Sequence, residues 1–283
     1  MNLLRRNLAA GAAAGIVLGL LGACAQLGVA AEPRPYNPMR GQAGKDVVWI
    51  PTPDNVVVRM LDMAQVTAGD TLVDLGSGDG KIAIAAAKRG ARARGIEYNP
   101  DMVELSRRSA KEQGVDVEFV QGDIFESNFT DADVVTLYLL PELNERLRPV
   151  LLEMKPGTRV ASHEFDMGDW KPDRLDIVDG RHAYFWVVPA RIGGVWSVRI
   201  EGEPAFEVRI EQQYQRLDGH AGRGSTRVAL QEPQVRGAAV AFRVPHGAGG
   251  VVRFDATADH RGRMSGTATL PDGQRKPFVA ERS

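Results

Sequence analysis

Three glycines at alternate positions, Gly76, Gly78 and Gly80, stand between an apolar run, Thr71 to Leu75, and an alanine-rich stretch, Lys81 to Arg89. The run reads as a strand and the stretch as a helix, so the glycines form a strand-turn-helix corner. Glycine there lets the backbone turn tightly and lets a ligand approach closer than any side chain would allow. Amides at the start of the following helix point at whatever binds. A dinucleotide fold uses the same device with a G-x-G-x-x-G spacing. Here the third glycine comes one position early, its reserved place holds Lys81, and Asp74 stands two before the first glycine. That spacing favours a nucleoside without a pyrophosphate.

Helices alternate with short apolar strands from Val47 to about Pro189, the pattern of a parallel α/β sheet. Asn55 to Ala64 carries Val56, Val57, Met60, Leu61 and Ala64 at helical spacing, after a helix start at Thr52-Pro53-Asp54. Further strands are expected at Ala93 to Glu97, Val117 to Gln121, Val134 to Tyr138 and Arg159 to Phe165. Helices are expected at Met102 to Gln113 and Leu143 to Met154, and a closing hairpin at Leu175 to Val178 and Ala183 to Val188. After Arg191 a two-residue period takes over, in Trp196, Val198 and Ile200, in Phe206, Val208 and Ile210, and in Val252, Phe254 and Ala256. With no helical pattern between these runs, this part reads as an antiparallel β domain, either a sandwich or a small barrel.

Ligands of open α/β sheets bind at the carboxyl edge of the strands. Glu97 ends the second strand, where a carboxylate accepts hydrogen bonds from both hydroxyls of a ribose. Gly122-Asp123-Ile124 follows the third strand, where Asp123 can accept from an adenine amino group and Ile124 can cover the ring. A lone glycine loop is weak evidence. Three strand ends in this order are strong.

Asp74-Leu75-Gly76-Ser77-Gly78-Asp79-Gly80, Glu97 and Asp123 resemble the S-adenosylmethionine (SAM) binding motifs of class I, seven-strand Rossmann-like methyltransferases, over about Val47 to Pro189. Pro51-Thr52-Pro53 and the glycine motif are similar to the seven-strand protein lysine methyltransferases. The nearest likeness is to those that modify a mitochondrial ATP-synthase subunit, with a fainter one to the non-SET histone lysine enzymes. The resemblance implies SAM as cofactor, with Asp74 and Gly76 at its methionine end, Glu97 on the ribose and Asp123 on the adenine. Ser77, Gly78, Gly80 and Ile124 complete the expected cofactor site. Tyr138-Leu139-Leu140-Pro141 follows the fourth strand, where enzymes that methylate amino groups of nucleic acids carry an Asn- or Asp-Pro-Pro-aromatic run. This departure speaks against methylation of base nitrogens.

Transfer from a sulfonium needs a nucleophile held in line with the methyl group, and a lysine acceptor must also lose a proton. Tyr138 and Glu142 are the candidate catalytic residues, Tyr138 preferred because the end of the fourth strand faces the transferred methyl in this fold. Asn144, His163, Glu164 and Asp166 are further candidates at the same mouth. Blander readings stand beside these: Glu142 as a solvated helix-start carboxylate, His163 as a hydrogen-bonded strand-end histidine, Asp166 and Asp169 as turn formers. Trp170 reads either as part of that turn or as a channel wall, and Trp196 and Tyr214 as core. His220 and His246 have no ligand spacing, and no metal is expected.

A chain of 283 residues accommodates two modest domains, and its net charge of −1 lacks the basic surplus of a nucleic-acid binder. No nucleic-acid partner is expected; the expected partner is a protein or small-molecule methyl acceptor. The single cysteine, Cys24, excludes an internal disulfide. Arg5 and Arg6 precede an apolar run from Leu8 to Gly22, the layout of an export signal. Leu21-Gly22-Ala23-Cys24 resembles a lipobox, with Cys24 as the lipidated residue, and Val29-Ala30-Ala31 an ordinary cleavage site; an uncleaved anchor is the third reading. The expected organisation is a signal peptide or membrane anchor (1–31), a linker (32–45), a SAM-dependent methyltransferase domain (46–190) and an all-β domain (191–283). The chain is expected to be membrane-associated or exported. Because SAM is made in the cytoplasm, an exported, non-enzymatic binding lipoprotein on a methyltransferase scaffold is the competing hypothesis, and a small-molecule methyltransferase the third.

Overall fold

The computed structural model describes residues 36–283 except 224, 248, 260 and 261. The expected signal or anchor, Cys24 and the first residues of the expected linker lie outside the described residues. Among the described residues no helix is long and apolar enough to cross a membrane.

The first sheet is built from β1 (Thr71–Leu75), β2 (Arg92–Glu97), β3 (Val117–Gln121), β4 (Val134–Leu137), β5 (Arg159–His163), β6 (Arg174–Val178) and β7 (Arg181–Val187). Their order across the sheet is β3-β2-β1-β4-β5-β7-β6, parallel except that β7 runs against both β5 and β6. Asp179 and Gly180, both with positive φ (49° and 76°), make the two-residue turn between β6 and β7, the conformation that an Asp-Gly pair adopts most readily. Successive residues face opposite sides, so Leu72, Val134, Ala161 and Phe185 join one core and Val73, Val135, Val160 and Trp186 the other. Burial on both faces is why these strands read as continuous apolar runs.

Helices α1 (Asp54–Met63), α2 (Lys81–Lys88) and α3 (Pro100–Glu112) add residues to the first core, and α4 (Pro141–Glu153) covers the second through Leu147 and Leu151. Both α3 and α4 start earlier than the sequence pattern predicts, each with a proline in its first turn. Proline lacks the N–H that a first turn leaves unpaired, and its fixed φ suits that position. Asn99 caps α3 by accepting the Asp101 N–H at 2.9 Å.

The second sheet has nine antiparallel strands: β8 (Gly194–Ile200), β9 (Phe206–Gln213), β10 (Arg216–Arg223), β11 (Thr226–Ala229), β12 (Gln231–Arg236), β13 (Ala239–His246), β14 (Gly250–Ala258), β15 (Arg263–Thr269) and β16 (Arg275–Arg282). Their order, β11-β10-β9-β8-β16-β15-β14-β13-β12, curls until β12 lies against β10. Of the two architectures left open, the nearly closed barrel is the one formed. Its interior is packed with side chains: Phe254 stacks on Phe242 at 4.7 Å and meets Phe278 edge-on at 5.0 Å between ring centres.

Candidate active site

The corner after β1 turns as its glycines require. Gly76 and Ser77 both donate N–H bonds to the Ile96 carbonyl, at 2.9 and 3.0 Å, which fastens the turn to β2. Gly78 has φ +54°, and a Cβ there would stand 2.7 Å from the Trp49 indole nitrogen. Gly80 plays a different part. A Cβ on it would lie 2.6 Å from Phe119 and 2.9 Å from Ser106, so its bareness lets α2 pack against its neighbours. The cleft is lined by Gly76, Ser77 and Gly78 but not by Gly80, which corrects the expected contact of Gly80 with a ligand.

The acids gather where the strand ends predict. Glu97 accepts N–H bonds from Gly78 and Asn99, each at 2.9 Å, so one carboxylate braces both the glycine turn and the start of α3. Asp123 accepts the Phe125 N–H at 2.9 Å on one oxygen and the Lys45 ammonium on the other. That ammonium holds the Asp123 carboxyl below its usual range. Asp74 is buried and accepts the Thr136 hydroxyl at 2.7 Å. Burial pushes its pKa up to about 7, the Thr136 bond opposes this, and the nearby Asp79 and Glu97 charges add to the rise. Asp74, Glu97, Asp123 and Ile124 line one cleft with the glycine turn.

Part of the stretch expected to be a linker forms a wall of this cleft. Gly41 donates to the Trp49 carbonyl at 2.8 Å, Trp49 to Gln42 at 2.9 Å and Gly44 to Val47 at 2.9 Å, making a short antiparallel turn. This strap lays Trp49 over Gly78 and brings Lys45 to Asp123. Its Pro, Gly and Arg content has no periodicity, so nothing in the pattern marks Lys45, Trp49 or Thr52 as site residues. The only signal is the likeness of Pro51-Thr52-Pro53 to a family motif.

Past β4, Tyr138, Leu139, Leu140 and Leu143 line the cleft beside Phe165. The Tyr138 ring lies 4.0 Å from that of His163 and 6.2 Å from that of Phe165. Burial and the Glu164 charge raise the Tyr138 phenol above its ordinary pKa, so it stays protonated at neutral pH. His163 is buried behind it, with Nδ1 3.1 Å from the Thr52 hydroxyl, and burial lowers its pKa to about 4. A neutral, enclosed imidazole is poorly suited to act as a base. Asn144 is a fastener: its amide donates to the Phe165 and Asp166 carbonyls at 3.2 and 3.0 Å. Asp166 accepts the Gly168 N–H at 3.0 Å and shapes the turn, and Trp170 is fully buried in the core. Glu142 is exposed in the first turn of α4 and does not line the cleft. Its expected catalytic part is corrected accordingly: the helix starts at Pro141 and turns the next side chain to solvent.

A parallel sheet with one reversed strand, a glycine corner after β1 and acids at the ends of β2 and β3 define the class I methyltransferases, which use SAM. The residues fit that cofactor. The turn presents bare backbone at Gly78, and the buried Ser77 hydroxyl has no hydrogen-bond partner among the described residues. Residues 74–174 match the family description "ANTKMT methyltransferase domain". The chain is 42% identical over 140 residues to a protein-lysine N-methyltransferase of Saccharolobus islandicus, covering 47% of this chain and 87% of that one. It is 36% identical over 128 residues to an ATP-synthase lysine N-methyltransferase of Rattus norvegicus, covering 44% of this chain and 59% of the relative. An RNA methyltransferase from Salinibacter ruber, solved with S-adenosyl-L-homocysteine, is 54% identical with a TM-score of 0.50, covering 50% of this chain and 96% of that one. The chain belongs to the ANTKMT-type family of SAM-dependent methyltransferases.

Proposed function

We propose that the chain methylates the side-chain amine of a protein lysine. The observation that carries this reading is the match, over most of its length, to a relative named for protein-lysine N-methylation. SAM bound in the cleft supplies an electrophilic methyl group and a neutral leaving group. Asp74, Gly76, Ser77 and Gly78 bind its amino-acid end, Glu97 its ribose, and Asp123 and Ile124 its adenine. Tyr138, Leu139, Leu140, Leu143 and Phe165 form the acceptor wall. Their largely apolar surface desolvates an incoming ammonium, which lowers its pKa and releases the lone pair that attacks. Tyr138, held protonated, orients that amine without taking its proton.

A second reading, an RNA acceptor, is favoured by the name of the Salinibacter relative. The net charge of −1 and the Leu139-Leu140-Pro141 run after Tyr138 weigh against it. Incubating the full chain with labelled SAM and separate protein and RNA fractions decides the matter. Label in methyl-lysine after complete digestion supports the proposal, and label confined to RNA refutes it.

The same reading attaches the chain to a membrane through residues 1–31, supported by Arg5, Arg6 and the apolar run behind them. Use of cytoplasmic SAM requires the body of the protein on the cytoplasmic side. A phosphatase fused after Ser283 should then remain inactive. An active fusion would instead favour the exported binding lipoprotein.

A further inference from the structure

The strap carries an intramolecular competitor for one end of the cleft. The Lys45 ammonium donates to Asp123 Oδ2 at 2.5 Å and sits 4.7 Å above the centre of the Tyr98 ring. Lys45, Tyr98, Asp123 and Ile124 all line the same cleft. The other Asp123 oxygen is already committed to the Phe125 N–H, so Oδ2 is the acceptor that remains for a ligand. An aminopurine asks two things of such a site: an acceptor for its exocyclic amino group and surfaces against its faces. Lys45 engages the first as an N–H donor and spans the second as a cation over the aromatic ring. Its position is fixed by the strap, whose backbone bonds join Gly41, Gln42 and Trp49. Its side chain remains 38% exposed, so it can swing into water without unfolding anything.

The geometry points to Lys45 as an internal occupant of the adenine subsite that the nucleoside must displace from Asp123 on entry. The inference rests on the assignment of the cleft to SAM. It makes cofactor affinity sensitive to the ion pair in a direction opposite to that of an ordinary binding residue. An exposed pair is weak and easily screened, so its removal should have a modest effect of definite sign.

The test is calorimetric titration of the full chain with S-adenosyl-L-homocysteine, which binds without turnover. Lys45→Ala should bind about two- to fivefold more tightly than the wild type. Adding salt should tighten binding to the wild type and leave Lys45→Ala unchanged. Lys45→Arg, which keeps the pair, should behave as the wild type. In an Asp123→Asn background the Lys45→Ala gain should disappear, because its target is gone. Unchanged or weaker binding by Lys45→Ala overturns the inference, the latter because Lys45 would then be clamping the nucleoside. Absence of binding by every variant, wild type included, overturns the cofactor assignment itself.

Discussion

Asp74 is a carboxylate enclosed among apolar strands with one hydroxyl, that of Thr136, as its hydrogen-bond partner. Its pKa of about 7 in the folded chain lies above that of an unfolded aspartate, so the folded state holds this proton more tightly. Stability from this group is therefore complete below the unfolded pKa, near 4, and is lost as pH rises through about 7. Asp74→Asn should flatten that loss in thermal unfolding followed from pH 4 to 7, and a loss unchanged in the variant would contradict the assignment. A cationic ammonium beside Asp74 favours the ionised carboxylate, so S-adenosyl-L-homocysteine should bind more tightly above pH 7 than at pH 5. Gly78→Ala puts a Cβ against Trp49 at a positive φ, a strain of about 1 kcal/mol before the clash is counted. It should weaken cofactor binding more than tenfold in calorimetry, and near-normal affinity would contradict the close approach proposed there.

At this scale the sequence is most informative where one residue type has one use. Glycine spacing and strand-end acids identify Gly76, Gly78, Glu97 and Asp123 because backbone access and charge are encoded locally. Gly80 and Glu142 depart from expectation for a common reason. Which way a position faces depends on the packing of α2 and α4, and neighbours in the chain do not reveal it.

Among the elements, α4 has a second task besides covering the sheet. The buried Asn144 amide satisfies the Phe165 and Asp166 carbonyls and so fixes the loop beside Tyr138. Asn144→Ala would leave buried carbonyls unpaired at a cost of about 1–3 kcal/mol, measurable as a lower denaturant midpoint with an unchanged slope. A change below about 0.5 kcal/mol would show that the loop is held by other means. The strands of the first sheet are legible because burial on both faces leaves an uninterrupted apolar run. The strap is not, because its structure consists of backbone bonds in a Pro- and Gly-rich stretch that has no periodicity.

In the whole molecule, the sheet and the barrel meet over several kinds of contact. Ala190 donates to the Gly237 carbonyl at 2.8 Å, and Gln215 reaches the Lys171 carbonyl at 2.6 Å. Tyr214 stacks near Trp170 with ring centres 6.3 Å apart. A Cβ on Gly237, at φ +57°, would come within 2.9 Å of the Gly157 backbone. With contacts this close, the two parts should unfold in one calorimetric transition, and Gly237→Ala should split or broaden it. Two resolved transitions in the wild type would show that the parts unfold independently. The β character of this half is legible in its two-residue periods, but closure is not. Strands such as β11 and β12 bury few apolar residues, and curvature arises from pairing between distant strands.

The cleft between the glycine turn and the two acids is where SAM must bind if the chain is to transfer a methyl group. Titration of the full chain with S-adenosyl-L-homocysteine, beside Glu97→Ala, tests this most directly. One saturable site is predicted in the wild type. Because Glu97 braces the turn and faces the cleft as a charged acceptor, its loss should weaken binding by about tenfold or more. No saturable binding at millimolar ligand, or equal affinity in the two proteins, would contradict the assignment.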